Sequence, residues 1–428
     1  MLQRPEGTYF GNSVLALAAA SGHTTIDDDV AAEWLDLGFA PPDKSVLAGC
    51  RPIVPGEVVE LDWDGNVASR SRAAPPEIAP ASCITFDDAV DELERLVRTA
   101  IKRRLADNPK PVALLSGGID STVVCKYAIE AGATRLLLSE PRIFKSPDGA
   151  FAREAAKRFG VPLETVSPQL ANIRDSVEHA VRLHDEPLGM ISFIPLALLA
   201  EQAGSGSRVL LTGDGGDEVF GGYGRPQDWI AAEPHASDSF RSGPAFPAWF
   251  SDYGRRAAGF ELVGHGMAKV DRATAEQGLE ARCPLLDWDV QAFVRSLPPD
   301  IVFSGTTSKP LAKALLEGWP HAFVERTKAG FPFRLRGLWG LSMYSGLREA
   351  IHAETVERFA QRLPPALQKP PASWSLFDIA QNFVVAYKLY VWSAFATKLR
   401  SIEMAQHLAS LQSSEPVADV ENEPGIAG

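Results

Sequence analysis

Four cysteines in 428 residues are too few and too scattered to organise this chain. Cys50, Cys83, Cys125 and Cys283 form no CxxC pair, so neither a zinc site nor a disulfide framework is written into the sequence, which suits a reducing compartment. No apolar run approaches the ~20 residues that cross a bilayer. The opening MLQRPEGTYF lacks the basic and apolar sections of a secretory signal. A positive excess is missing too: the net charge of -12 excludes broad attachment to nucleic acid or anionic membrane while leaving room for a local basic pocket. Internal repeats are absent. The expectation is a cytoplasmic protein with no nucleic-acid or membrane partner, long enough for more than one domain.

What is present is a rhythm of short apolar runs, each ending in a turn. PVALLS, RLLLSE and RVLLTGD read as buried strands, and stretches such as GAFAREAAKRFG between them read as helices. FDDAVDELERLVRTAIKRRL, Phe86 to Leu105, carries apolar residues every three or four positions and predicts an amphipathic helix. Strands alternating with helices imply an α/β fold with a parallel sheet flanked by helices. From about Trp229 the pattern turns mostly helical. Upstream, IDDDVAAEWLDLGF predicts a helix over Ile26 to Phe39, and VPGEVVELDWDGN over Val54 to Asn66 a hairpin. The Ser-, Ala- and Pro-rich stretch from Ser69 to Ser82 suits a linker, which divides the chain at 1–82 and 83–412. The acidic, small-residue tail over 413–428 has the composition of disorder.

The chemistry concentrates in two turns. In VALLSGGIDSTVV, Ser116, Gly117, Gly118, Asp120 and Ser121 stand between a strand and a helix, where glycine backbone and free helix N–H groups cradle an anion. No lysine follows the glycines, so this is not the GxxxxGK[ST] loop. Asp120 would repel a phosphate unless a cation lay between them, which implies Mg²⁺. The second turn, LLTGDGGDEVFGGYGR, crowds Asp214, Asp217 and Glu218 around glycines, an arrangement that demands a cation or a shared proton.

SGGIDS resembles the pyrophosphate loop of the ATP pyrophosphatase superfamily, whose members cleave ATP to AMP and pyrophosphate. GDGGDEVFGGY is similar to the SGEGxDExFGGY signature of the asparagine synthetase branch. The resemblance implies an ATP-dependent, AMP-forming carbon–nitrogen ligase. It places ATP against Leu114, the Ser116–Ser121 loop, Leu138, Gly213 and Asp214, with Asp120 and Asp217 as Mg²⁺ ligands. Asp214 stands where asparagine synthetases carry glutamate and β-lactam synthetases tyrosine, a position that touches the acyl-adenylate or helps activate the amine. SKPLAKALL and RTKAGFPF are similar to the family's lysine segments, which makes Lys309 and Lys328 the cations on pyrophosphate and adenylate. Fixed cations there stabilise the charge that develops on phosphoryl oxygens. HDEPLGMISFIP resembles the acceptor segment, so Asp185 and Glu186 either line the acceptor pocket or cap the next helix. Met190, Ile191 and Ser192 stand where the family has a second acid, which suggests a substrate unlike free aspartate. Glu280 and Arg282, within KVDRATAEQGLEARCPLLD, are expected as a buried pair shaping the pocket.

The glutamine-dependent relatives begin with a catalytic cysteine after the initiator. Here residue 2 is Leu2, and the segment from Tyr9 resembles the end of their glutaminase domain. The expected amine is therefore not glutamine's. Two groups that resemble asparagine synthetases use an amine within the substrate: β-lactam synthetases and lasso-peptide macrolactam synthetases. The second suits the short first segment better. It implies a precursor peptide bearing a side-chain carboxylate and a free α-amine, with a maturation protease and a leader-binding protein as companions. The alternatives are an amidotransferase fed by external ammonia and a β-lactam synthetase-like ligase.

Overall fold

The computed structural model describes residues 1–73, 83–106, 110–140, 146–167, 179, 183, 185–222, 257–302, 308–326 and 338–414. The chain opens with a small hairpin, β1 (Leu2–Arg4) and β2 (Gly7–Tyr9), followed by helices α1 (Val14–Ser21) and α2 (Asp28–Leu37). Asp27 caps α2, its carboxylate accepting from the amides of Asp29 and Val30, and two more acids in the first turn complement the helix dipole. Of the hairpin expected over Val54 to Asn66, the first strand and the turn lie within those bounds: β3 (Glu57–Leu61) pairs antiparallel with β4 (Val67–Arg72), which begins after Asn66. Its second strand takes Ser69 to Arg72 into the ladder, so the first four residues of the expected linker are sheet.

Helix α3 (Phe86–Leu105) runs as the periodicity predicts, capped by Thr85 and ending in Lys102, Arg103 and Arg104. It buries Ala89, Leu93, Leu96, Val97, Ala100 and Ile101 on one face. The sheet follows: β5 (Val112–Leu114), α4 (Ile119–Glu130), β6 (Arg135–Ser139), α5 (Pro147–Phe159), β7 (Leu163–Val166), α6 (Phe193–Gly204), β8 (Val209–Leu211), α7 (Gly216–Phe220), α8 (Ala268–Ala275) and β9 (Glu280–Arg282). The five strands pair in parallel in the order β7-β6-β5-β8-β9. Alternate side chains enter opposite cores: Val112, Leu137 and Leu210 pack toward α6, whereas Ala113, Leu136, Leu138 and Leu211 pack toward α3, α4 and α5. Covering both faces is why these strands read as continuous apolar runs.

β7 and β9 escape sequence reading. LETV carries a charge and EAR is short and polar, because both strands lie at the sheet's edges. β9 thus interrupts the half of the chain expected to be helical. The helices Trp288–Ser296, Leu338–Ala350 and Phe383–Ser414 follow. The last includes Ser413 and Ser414, which the composition had assigned to the tail.

A third core joins the two ends of the chain. Trp34 of α2 is fully buried against Trp392, with ring centroids 4.9 Å apart, and against Phe359. Its indole N–H donates to the Pro187 carbonyl at 2.7 Å. Among the described residues no helix is long and apolar enough to cross a membrane.

Candidate active site

The sheet's strand order reverses between β5 and β8: β6 and β7 extend one way, β9 the other. A crevice opens at the carboxyl ends of strands at such a point. The two motif turns are the loops that leave β5 and β8, so the topology brings together stretches about a hundred residues apart in sequence. They line a cavity of about 400 Å³ with Leu114, Ser116, Gly118, Asp120, Ser121, Leu138, Gly213, Asp214, Asp217 and Glu218 in its wall.

The first loop is held by its own hydroxyls. Ser121 Oγ accepts from the Ser116 amide at 3.2 Å and donates to the Gly118 carbonyl at 3.0 Å. Ser116 Oγ accepts from the Gly118 amide at 3.3 Å. Gly118 is the N-cap of α4 and offers no side-chain acceptor, leaving the positive end of the helix turned toward the cavity. Gly117 takes φ of 84°, and a Cβ there would strike the Asp148 carbonyl, so the turn admits glycine alone. A Cβ on Gly213 would lie 2.7 Å from the Ser121 amide nitrogen. The two loops touch through bare backbone.

Asp120 and Asp217 converge on one cation. Lys309 Nζ lies 2.5 Å from Asp120 Oδ2 and 2.5 Å from Asp217 Oδ1, with Lys309 and Asp120 6% and 8% exposed. Lys309 itself has φ of 55°, a left-handed conformation that L residues other than glycine rarely adopt. The carboxylate pair fits magnesium. Asp120 Oδ1 is buried without a hydrogen-bond partner among the described residues, and Mg²⁺ is characteristically held by one or two carboxylates together with phosphate oxygens and water. No group of three or more His, Cys, Asp or Glu side chains forms a complete cage among the described residues. Asp120 and Asp217 would hold the ion.

The other expected site residues go elsewhere. Asp185 caps α1, accepting from Ser13 Oγ at 2.7 Å and from the amides of Val14 and Leu15. Glu186 accepts from Ser45 Oγ and the Val46 amide at 2.8 and 2.7 Å, and burial pushes its pKa up against the opposing pull of Arg272. Neither lines the cavity; both fasten the amino-terminal segment to the stretch that leads into α6. Glu280 does pair with Arg282, at 2.7 Å, but its side chain is 65% exposed on the edge strand β9, away from the cavity. The expected buried pair is half-exposed, with Arg282 largely covered and Glu280 open to solvent. Lys328 lies outside the described residues.

Four participants were not singled out in the sequence. Arg326 pairs with Asp148 and donates to the Gly117 carbonyl, so it braces the first loop from behind. Its signal was its place two residues before Lys328. Lys269 and His265 line the cavity wall, Lys269 Nζ standing 3.9 Å from Asp214 Oδ1. Lys269 opens a stretch whose spacing reads as ordinary helix packing, and His265 lies just before it in the half of the chain expected to be helical. Burial, then the Lys269 ammonium, lower the His265 pKa, while Asp214 opposes them.

A parallel α/β sheet with a glycine cradle and paired acids at its switch point defines a protein built to receive a phosphate-bearing ligand. Comparison narrows the class. The chain belongs to the asparagine synthase family, whose model matches residues 92–363, more than half of its length. A Mycobacterium tuberculosis protein provisionally named a glutamine-hydrolysing asparagine synthetase is 24% identical over 393 residues, covering 73% of this chain and 59% of the relative. Asparagine synthetase 1 of Bacillus subtilis is 24% identical over 231 residues, covering 53% and 36%. The chain thus spans less than two thirds of the length of these relatives. Among solved structures, a tRNA thiolase of Methanococcus maripaludis aligns over 76% of this chain and 88% of its own at 13% identity, with a TM-score of 0.30.

Proposed function

We propose that the chain is an ATP-dependent, AMP-forming ligase that adenylates a side-chain carboxylate of a peptide and joins it to that peptide's own α-amine, closing a macrolactam of the lasso type. The observation that carries the ligase reading is the convergence of the glycine loop, Asp120 and Asp217 at the switch point of the sheet, in a chain of the asparagine synthase family.

A carboxylate is an unreactive acyl donor, so the first step is its attack on the α-phosphorus of ATP with loss of pyrophosphate. The amides around Gly117 and Gly118 and the α4 dipole bind phosphate oxygens. Bound Mg²⁺ would neutralise charge developing on the leaving pyrophosphate. Lys309, released from the two acids, supplies a second cation, and Leu114 and Leu138 offer apolar surface to the nucleoside. In the second step the amine displaces AMP. Holding both reacting ends in one molecule gives this step a high effective molarity.

The peptide reading is supported by the fate of Asp185 and Glu186. Their carboxylates serve the amino-terminal segment, so neither is offered to the α-amine of a free amino-acid acceptor. Apolar Leu196, Leu199 and Leu262 line the cavity beyond the glycine loops, surface that suits a peptide better than aspartate.

The test is incubation of the chain with ATP, Mg²⁺ and synthetic peptides carrying a free α-amine and one downstream Asp or Glu. Products that have lost one water, with stoichiometric AMP, support the reading. Asparagine formed from aspartate and ammonium would replace it with the amidotransferase.

A further inference from the structure

We propose that His265 is the proton acceptor for the attacking amine in the second half-reaction. The assignment rests on the ligase reading above and deepens it, moving the amine's base from Asp214, where the family resemblance puts that role, to a neighbouring residue of the cavity wall.

The placement comes first. His265 belongs to a π-helical stretch, Ala257–Met267, that runs directly into α8 and packs against α7. Helices of this wide form are rare and tend to mark functional sites. His265 lines the cavity wall with Lys269, four residues on, and with Asp214 of the second loop. Its ring packs on Phe39, with centroids 5.3 Å apart, so a residue of the amino-terminal segment fixes the imidazole. Nδ1 is buried and has no hydrogen-bond partner among the described residues. With Nδ1 closed off from the cavity, the imidazole meets it through the rest of its ring.

The neighbours are less suited. Lys269 carries an ammonium that has donors and no acceptor. Asp120 and Asp217 are engaged by Lys309. Asp214 has Lys269 beside it, and a carboxylate is a weak base for an amine. The charged groups that share the cavity wall with His265 are Asp120, Asp148, Asp214, Lys269 and, on α7, Asp217 and Glu218. Burial and Lys269 keep the imidazole neutral near pH 7, hence able to accept.

The step balances as follows. The neutral amine nitrogen attacks the carbonyl carbon of the acyl-adenylate and a C–N bond forms. The C–O bond to the phosphate breaks, and AMP leaves with its electron pair. The surplus N–H proton passes to the His265 imidazole, giving imidazolium beside Asp214, and then to solvent.

The experiment separates the two half-reactions in the full-length chain, using ATP, Mg²⁺ and the synthetic peptides described above. Adenylation is read by ATP–pyrophosphate exchange, ring closure by mass spectrometry, and accumulated acyl-adenylate by trapping with hydroxylamine. For His265→Asn the expected result is exchange lowered no more than a fewfold and ring closure slowed about 10²–10³-fold, with hydroxamate accumulating. The wild-type closure rate should rise with pH through an ionisation below the ordinary histidine value, and this limb should vanish in the variant. Phe39→Leu, which keeps the imidazole and loosens its support, should keep the limb and slow closure about tenfold or less. Ring closure at the wild-type rate in His265→Asn, or equal loss of exchange and closure with folding intact by circular dichroism, would overturn the assignment. A wild-type chain that exchanges pyrophosphate with none of the peptides would overturn the ligase reading, and this assignment with it.

Discussion

At the carboxyl ends of β5 and β8, buried Asp120 and Lys309 meet half-buried Asp217, one Asp120 oxygen has no partner among the described residues, and Lys309 sits in a left-handed conformation. Across the molecule, Trp34, Phe359, Trp392 and Phe395 fill a core where the Trp34 indole N–H is satisfied by Pro187. The first region stores unfavourable arrangement that a phosphate ligand and its cation would relieve. The second is apolar area removed from water, which stabilises at about 25 cal/mol per Å² and asks for nothing further. A single chain can hold the strained site because the aromatic core and the two sheet faces hold the scaffold around it.

Four substitutions press on that contrast, the largest effect first. Asp217→Asn should leave the fold intact, because Lys309 keeps Asp120. It should lower ATP–pyrophosphate exchange about 10³-fold by weakening the hold on the metal and the charge at the leaving group. An unchanged exchange rate would remove the metal assignment. Trp34→Ala empties the centre of the aromatic core and should cost about 4 kcal/mol, read by denaturant titration. Hydrogen exchange should report opening first in α1, α2 and the Phe383–Ser414 helix.

Lys309→Met leaves Asp120 and Asp217 without their shared cation and should destabilise the free chain by about 3 kcal/mol. Millimolar Mg²⁺ without nucleotide should restore much of the loss, as measured by calorimetry. Equal melting temperatures with and without Mg²⁺ would argue against an ion between the acids. The smallest effect belongs to Glu186→Gln. Burial raises the folded-state pKa of Glu186 above its unfolded value. Its contribution is therefore fully present below the unfolded pKa and is lost as pH rises through the folded pKa. The glutamine oxygen can still accept from Ser45 and Val46, so the variant should fold and show a flatter stability profile over that window.

Both motif turns, the helix α3, strand β3 with its turn and the three central strands were legible, because each follows from local pattern: glycine pairs, a 3.6-residue period, unbroken apolar runs. The edge strands β7 and β9 were not, since half-exposed residues such as Glu164 and Glu280 hide the alternation. Asp185 and Glu186 were open between a pocket and a cap. The chain resolved them as anchors, and their partners, Ser13 to Leu15 and Ser45 with Val46, lie more than a hundred residues away. Lys269 and His265 looked like ordinary helix residues because their helical stretch also carries packing positions, Leu262 and Val270 among them.

The sequence by itself determined which residues can meet a phosphate: glycine at φ angles and contacts that no other residue accepts, acids that need a cation, and apolar runs that must be covered on both sides. Only the tertiary structure decided which of them meet. Strand order sets β8 beside β5 and so brings Asp217 to Asp120, and packing of the two chain ends carries Phe39 to His265. Such pairings depend on contacts between distant segments, and no local preference of the chain encodes them.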